Sequence, residues 1–347
     1  MRSIITKSIL FIVLVSSLLF AGCSASSDPA PSNSENASNP SDPSQYPITL
    51  SHAFGETVIE NKPERIASIS WGNQDVPLAL DLTPVGVSKA NYGVDEGSYL
   101  LPWTKEKYED LGVDNPVVFD DLTELDYEGI SNSRPDVILA AYSGITQEEY
   151  NLLSQIAPVV AYPDLPWQTF WRDQIRINST ALGLQSEGEQ LVSDLDHLID
   201  KKTSEYDSLN GKTAAFFYFN PSDLGNFYVY LPEDPRAAYL LDLGLSLPES
   251  VISLSQESES FALEMSSENM DLLSDVDIIV TYGTDSLLEQ LQSDPLIGSM
   301  PAVKRGSVAI IEDNTPLAAS GTPSALSIPA TIDEYLSILA EAGMKVQ

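Results

Sequence analysis

The sequence has very little of the two side chains that most often bind transition metals or form covalent crosslinks. It contains one cysteine, Cys23, and two histidines, His52 and His197. A single thiol cannot form a disulfide within the chain, so stability must come from a buried core. The shortage of sulfur and imidazole ligands argues against a zinc or copper site made by protein alone. We expect His52 to be structural and His197 to lie on the solvated side of a helix.

Basic residues are also scarce. The chain carries 17 lysines and arginines against 51 aspartates and glutamates, which gives a formal net charge of −34 at pH 7. Such a charge repels nucleic acid and anionic lipid headgroups, so we exclude nucleic acid as a partner. Each arginine becomes informative because it is rare: an arginine kept in so acidic a protein suggests an anionic partner.

The motifs of common nucleotide-binding and hydrolytic sites are absent. Gly211-Lys212-Thr213 has the ending of a phosphate-binding loop, but Tyr206 stands where the first glycine should be. No G-x-G-x-x-G follows a strand, and there is no G-x-S-x-G. No carboxylate pair stands out among the many acids. We therefore predict a protein that is not an enzyme and has no catalytic residues and no cofactor.

The one long apolar run lies at the N-terminus. Residues 9–21 follow Arg2 and Lys7 and end in Gly22-Cys23. A positive start, a short apolar stretch and small residues describe a secretory signal, and the run is short for a membrane span. Residues 19–23 resemble the lipobox of bacterial lipoproteins, although Phe20 replaces the usual leucine. The resemblance implies a lipid on Cys23 and an anchor on the extracytoplasmic face of the cell membrane.

The next segment is a predicted leash. Residues 24–45 contain Ser, Asn, Pro, Asp and Ala and almost nothing large and apolar. Such a segment cannot offset the entropy of ordering, so it should be flexible.

Short apolar runs organise the region of residues 63–162. Four of them, at 65–70, 85–88, 137–141 and 159–162, are separated by segments long enough for crossover helices. This pattern predicts parallel strands buried on both faces, and so an α/β lobe.

The second half of the chain repeats this pattern after a helical segment. The longer amphipathic stretch, residues 185–209, would span roughly 37 Å as one helix. We therefore predict an α/β fold with two Rossmann-like lobes joined by a single long interdomain helix. The predicted parts are a signal peptide (1–22), a linker after lipidated Cys23 (23–46), an N-terminal lobe (47–165), a linking helical segment (166–210) and a C-terminal lobe (211–347).

Aromatic residues follow the predicted strands. Trp71 comes after the first strand, Tyr92 after the second, and residues 90–108 read as a long aromatic-rich loop. In open α/β sheets, ligands bind beyond the carboxyl ends of the strands. These aromatics are therefore candidate walls of a ligand site, although packing of the loop alone would also explain them.

Each half places one acid on the first turn of the helix that feeds a buried strand. Glu128 lies eight residues before Asp136, and Glu268 lies nine before Asp277. The helix macrodipole alone explains an acid at this position, but it does not forbid a partner.

The order and spacing of these motifs resemble those of the ABC-transporter solute-binding lipoproteins of the ferric-siderophore, haem and cobalamin class. The similarity covers almost everything after the leash, and residues 49–59 and 166–176 look most like ferric-siderophore binders. The segments that carry it are 63–66, 84–87, 134–138, 156–160, 277–280 and 301–306.

The resemblance implies a binding protein, expected to be a monomer, that holds its ligand in a shallow cleft between the lobes and closes little. It also implies that one surface acid on each lobe docks onto basic residues of a membrane permease. By motif position these acids are Glu128 and Glu268. The cargo it implies is a small-molecule iron chelate whose Fe(III) is held mainly by the chelator.

Siderophore complexes are bulky and often anionic, so aromatic walls and arginines suit them. Haem and cobalamin stay open as cargo of the same fold, since Tyr92 or Tyr230 could serve as an axial haem ligand. Direct binding of a metal ion and a purely structural surface role are further alternatives. The candidate ligand-binding residues are Trp71, Tyr92, Trp103, Trp167, Trp171, Arg172, Tyr230 and Arg236.

Overall fold

Each of the two lobes contains a five-stranded sheet with flanking helices, which confirms the predicted α/β fold. The predicted signal peptide, Cys23 and nearly all of the linker lie outside the described residues. The computed structural model describes residues 45–94, 97, 99–256, 258 and 260–346.

The first lobe is built on a fully parallel sheet with the spatial order β5–β4–β3–β6–β7. An antiparallel hairpin, β1 with β2, precedes it and packs beside β7. The strands are β1 (Ile48–His52), β2 (Gly55–Ile59), β3 (Ile66–Ser68), β4 (Gly86–Ser88), β5 (Val118–Phe119), β6 (Val137–Ala140) and β7 (Val159–Ala161). The helices are α1 (Asp75–Ala79), α2 (Pro102–Asp110), α3 (Tyr127–Ser133) and α4 (Gln147–Leu153).

Two helices, α5 (Trp171–Ala181) and α6 (Gln185–Thr203), lead from the first sheet to the second. They are separated at Gly183, which adopts a φ of +68°. Helix α5 packs on α1 and β7, and its Ile175 shares one apolar cluster with residues of the second lobe. The predicted helix through residue 209 is too long: α6 ends at Thr203 because the chain turns there and buries Leu209 in the second lobe.

The second lobe has a mixed sheet with the order β10–β9–β8–β11–β12. Strands β8, β11 and β12 are parallel, whereas β9 is antiparallel to both of its neighbours. The strands are β8 (Ala214–Asn220), β9 (Asp223–Tyr230), β10 (Ala262–Ser266), β11 (Ile278–Gly283) and β12 (Val308–Glu312). The helices are α7 (Pro235–Asp242), α8 (Glu249–Ser255), α9 (Leu287–Ser293), α10 (Pro301–Arg305), α11 (Pro316–Ala319) and α12 (Ser327–Gly343).

Elements other than α6 also differ from the sequence prediction. The loop expected over residues 90–108 ends in α2, which begins at Pro102, because a proline fits the first helical position, where no N–H donor is needed. The edge strands β5 and β10 were not predicted, because β5 has only two residues and β10 alternates only weakly, so neither gives a clear periodicity.

The predicted domain boundaries stay predictions. Among the helices that the structure describes, none has both the length and the apolar character that a membrane-spanning segment requires.

A buried carboxylate lies at the junction between the lobes. Asp75, in α1, accepts hydrogen bonds from Trp103 Nε1 at 3.1 Å and Thr104 Oγ1 at 2.9 Å. The hydroxyl of Ser324, which precedes α12 in the second lobe, also donates to it. Although these donors favour the charged form, burial outweighs them and raises the pKa of Asp75 from 3.8 to about 6. The contact therefore links the lobes through a group whose charge is costly to bury.

Asp75 should give the protein a pH-dependent stability. The folded state holds this proton to higher pH than the unfolded chain, so the free energy of unfolding falls as pH rises from about 4 to about 6. Denaturant titrations of wild type and Asp75→Asn should show this fall only in wild type, by about 3 kcal/mol.

An exposed acid on α2 provides the control for this measurement. Asp110→Asn also removes one carboxylate, but from the surface, and should keep the wild-type slope. Parallel curves for wild type and Asp75→Asn would show that Asp75 does not carry the effect.

Candidate functional site

A cleft of about 720 Å³ opens between the two lobes. On the first-lobe side, its residues follow the carboxyl ends of parallel strands, where α/β sheets bind ligands. The first-lobe lining residues comprise Ser70, Trp71, Ser88, Lys89, Asn91, Tyr92, Asp121, Leu125, Tyr142, Gly144, Ile145, Glu149 and Trp167.

The second lobe lines the cleft with aromatic and charged side chains. They come from β8, from the end of β9 and the turn into α7, and from the ends of β11 and β12. The second-lobe lining residues comprise Tyr218, Tyr230, Asp234, Arg236, Phe261, Tyr282, Asp313, Ala318, Ala319 and Thr322.

Trp167 presents its indole to the cleft in a backbone conformation that tryptophan rarely adopts. Its φ is +62°, and its amide donates to the carbonyl of Ser143 at 3.0 Å. The ring lies against Gly144, where any Cβ would overlap it, and meets Tyr142 edge to face at 5.4 Å between centroids. Its side chain nevertheless stays 39% exposed. Backbone strain of about 1–3 kcal/mol at an exposed aromatic is typical of ligand sites.

Arg236 enters the cleft already paired. Its Nε and Nη2 donate to the two carboxylate oxygens of Asp234 at 2.8 and 2.6 Å. The guanidinium also stacks on Tyr230, 4.0 Å from the ring centroid. Burial opposes its charge, but the hydrogen bonds and the charge of Asp234 raise the pKa of Arg236 above its ordinary value. The arginine is therefore a fixed, fully charged and locally compensated group.

Lys89 is compensated in the same way at the first-lobe side. Its Nζ lies 3.0 Å from Asp120 and 3.8 Å from the ring centroid of Tyr99. Nearby Asp121 accepts hydrogen bonds from Ser88 Oγ and the Lys89 amide, yet burial raises the pKa of Asp121. This side of the cleft thus carries a paired cation and a carboxylate with a weakened preference for charge.

Tyr92 connects the lobes at the cleft. Its hydroxyl donates to Asp313 at 2.6 Å and accepts from the amide of Asn314 at 3.2 Å. Burial, with the hydrogen bond to Asp313, raises the pKa of Tyr92. The phenol is therefore neutral and bridges the two walls.

Five of the eight predicted ligand-binding residues line the cleft: Trp71, Tyr92, Trp167, Tyr230 and Arg236. Contact between these side chains and a ligand remains a prediction.

The other three predicted residues lie elsewhere, which corrects the sequence interpretation. Trp103 is buried and donates to Asp75. Trp171 is buried and donates to Asp242 at 2.9 Å, and Arg172 binds Asp196 and Asp242. Because α5 begins at Trp171, these last two side chains pack against α6 and α7 instead of facing the ligand cleft.

Several cleft residues were missed by sequence reasoning. Lys89 and Tyr142 directly follow predicted strands, and Tyr282 lies near the carboxyl end of β11. The expectation that ligands bind beyond the carboxyl ends of strands could therefore have identified them. Asp234 gave no signal, since one more acid among 51 is not distinctive. Tyr218 lies inside β8 and is 41% exposed, so its place in the sequence did not mark it as a cleft residue.

Glu128 and Glu268 are both exposed, and they lie in the segments that follow β5 and β10. Glu128 lies in the first turn of α3, after the capping residue Asp126, which accepts from the amide of Gly129 at 2.8 Å. Glu268 lies in a 3₁₀ turn that leaves the end of β10. Within the described ranges, neither acid forms an ion pair.

Neither of the two histidines lines the cleft. His52 is buried and bonds to Thr57 Oγ1 at 2.9 Å, and burial lowers its pKa. His197 is on the exposed side of α6. In the part of the chain that the structure describes, no group of three or more His, Cys, Asp or Glu side chains could hold a metal ion.

A family model described as a periplasmic binding protein matches residues 66–315. The chain belongs to this periplasmic binding protein family. Members of the family bind substrates for transport and are not enzymes. Two proteins have similar sequences. The petrobactin-binding protein YclQ of Bacillus subtilis is 25% identical over 320 residues, which cover 89% of this chain and 91% of YclQ. The ferric-anguibactin-binding protein FatB of Vibrio anguillarum is 24% identical over 306 residues, which cover 85% of this chain and 88% of FatB.

A protein of known structure is more similar in sequence. It is PiaA of Streptococcus pneumoniae TIGR4 in complex with ferrichrome, which shares 51% identity and a TM-score of 0.84 with this chain. The match covers 86% of this chain and 100% of that one. PiaA is described as an iron uptake ABC transporter substrate-binding protein.

Trp167 should matter for binding and not for stability. Glycine adopts positive φ readily, so Trp167→Gly should keep the melting temperature or raise it. It should weaken binding of a ligand that occupies the cleft at least about tenfold, because an aromatic surface of about 1.5–3 kcal/mol is lost. Calorimetric titration and thermal unfolding measure the two effects.

Leu165→Ala is a control from the same loop, since Leu165 is 47% exposed and does not line the cleft. It should bind like wild type. Wild-type affinity in Trp167→Gly would remove Trp167 from the site.

Proposed function

We propose that this protein is the extracytoplasmic solute-binding component of an ABC importer and captures a ferric-siderophore complex in the cleft between its lobes. The observation that carries the proposal is the cleft itself, a space of about 720 Å³ walled by Trp71, Tyr92, Trp167 and Tyr230 with Arg236 at its edge. The similarity to PiaA in complex with ferrichrome, and to petrobactin- and anguibactin-binding proteins, supports it.

The chemistry of the lining suits a metal that arrives inside its own chelator. Aromatic faces bury the apolar surface of a chelate, and a few fixed donors orient its oxygens. Tyr230 and Arg236 supply such donors on the second-lobe wall. The protein itself needs to supply no ligand to the iron.

The delivery step would use the two exposed acids. Glu128 and Glu268 belong to different lobes and follow the strands β5 and β10, so we expect both at the carboxyl edge of the sheets, where the cleft lies. A permease with a basic residue for each acid would therefore receive the cleft facing its entrance. Lipidation of Cys23 would hold the protein at the membrane on a leash that permits this approach.

Binding can be tested by tryptophan fluorescence, because Trp71 and Trp167 line the cleft. Ferrichrome should quench the fluorescence saturably at micromolar concentration or below, about −8 kcal/mol or better, and its iron-free form should not. The same titration is repeated with a panel of other compounds: ferric dicitrate, haem, cobalamin and free Fe³⁺. A response to haem or cobalamin alone would change the cargo, and a response to free Fe³⁺ alone would contradict capture of a chelate.

Docking can be separated from binding with a double variant. Glu128→Ala with Glu268→Ala should leave chelate affinity unchanged but strongly reduce iron uptake by cells, since close charge pairs at interfaces couple by about 1.5–7 kcal/mol.

The matched control for docking removes one exposed acid from each lobe at other places. Glu60 follows β2 and Glu341 lies on α12, so Glu60→Ala with Glu341→Ala should import iron like wild type. Equal uptake by both double variants would show that Glu128 and Glu268 are not the docking acids.

A further inference from the structure

The charges that line the cleft do not favour an anion. Among the residues that the structure describes, two bases and four acids line it. The charged lining residues are Lys89, Arg236, Asp121, Glu149, Asp234 and Asp313. The sum is negative even before the net charge of the whole chain is considered.

Asp234 compensates Arg236 within a buried site. The side chain of Asp234 is only 2% exposed, and that of Arg236 is 22% exposed. Besides the two guanidinium bonds, Asp234 Oδ1 accepts the backbone N–H of Arg236 at 2.8 Å and so caps α7. Separating the pair would leave a buried charge without a partner, which is costly. The pair therefore stays closed and presents no net charge to the cleft.

Lys89 offers no spare charge either. Its ammonium group is held by Asp120 and the face of Tyr99, and its side chain is 15% exposed. An anionic ligand would also approach the carboxylates of Glu149 and Asp313, which line the same space. Like charges in a partly desolvated cleft repel more strongly than they would in water.

Arg236 still has hydrogen-bonding capacity in this arrangement. Asp234 takes up Nε and Nη2, and Nη1 takes no part in that pair. Beside its contact with Tyr230, the guanidinium can thus use Nη1 to donate to an oxygen of a ligand while its charge is already balanced. This is a suitable donor for an oxygen-rich chelate that carries no net charge.

We propose that Asp234 is a specificity-determining residue: by neutralising Arg236, it makes the cleft select ferric chelates without net negative charge. The proposal rests on the proposed function and adds the chemical class of the cargo. The chelates selected are of the trishydroxamate class, in which three hydroxamate anions balance Fe³⁺. Ferric dicitrate and ferric tris-catecholates, which are anionic, are rejected.

The test removes the compensating charge and keeps the cap of α7. In Asp234→Asn, the amide oxygen still accepts the N–H that caps α7, and asparagine is as good a cap as aspartate. Wild type should bind neutral ferrichrome at least a hundredfold more tightly than anionic ferric dicitrate. Asp234→Asn should raise the affinity for ferric dicitrate at least tenfold, and this gain should shrink with added salt.

Two further variants locate the effect. Asp294→Asn removes a carboxylate that also accepts a backbone N–H two residues later, at 2.9 Å, but lies outside the cleft. It should leave the preference unchanged. Adding Arg236→Gln to Asp234→Asn should abolish the gain for ferric dicitrate, because the freed guanidinium is its source.

The outcomes separate this proposal from the one it rests on. If wild type binds no ferric chelate in the panel, the proposed function fails and the selectivity with it. If wild type binds ferrichrome and ferric dicitrate equally, or if folded Asp234→Asn keeps the wild-type ratio, the proposed function stands and the role of Asp234 is overturned. The wild-type ratio needs no variant, so the proposal is testable even if Asp234→Asn does not fold.

Discussion

The fixed contact between the two lobes is the constraint on which the ligand site depends. Asp75 accepts hydrogen bonds from both lobes, and Tyr92 bridges to Asp313 and Asn314 at the cleft. Helix α5 packs on the first lobe and shares an apolar cluster with the second. With the lobes joined in this way, the distance between the cleft walls is set by the fold. The site can then be pre-formed, and little binding energy has to be spent on ordering it.

The electrostatics of the cleft follow from the scarcity of basic residues in the whole sequence. In a chain with three acids for every base, each cation near the ligand finds a carboxylate of its own, as Lys89 does with Asp120 and Arg236 with Asp234. The cleft keeps the geometry and donors of an arginine site without its net charge. The sequence suggested that a rare arginine binds an anionic ligand, whereas in the structure the anion that pairs with Arg236 is Asp234 of the protein itself.

Much of the fold could be predicted from the sequence, because buried parallel strands leave continuous apolar runs such as residues 137–140. The cleft aromatics that directly follow such strands, Trp71 and Tyr92, could be found for the same reason. The direction of side chains on a helix could not be predicted. Trp171 and Arg172 are residue types that suit a ligand-binding wall, but they pack against α6 and α7. The ion pair between Asp234 and Arg236 could not be predicted either, because nothing in the local sequence marks Asp234 as the partner of Arg236.

The contact between Trp167 and Gly144 has a consequence for the diversity of related proteins. The indole occupies the space that any side chain at position 144 would need, and the left-handed backbone at 167 holds it there. Positions 144 and 167 should therefore not change independently in evolution. A relative with a larger residue at position 144 should have lost the indole at position 167, and its cleft should have a different shape. Correlated substitution at this pair would then trace changes of cargo during the divergence of the family.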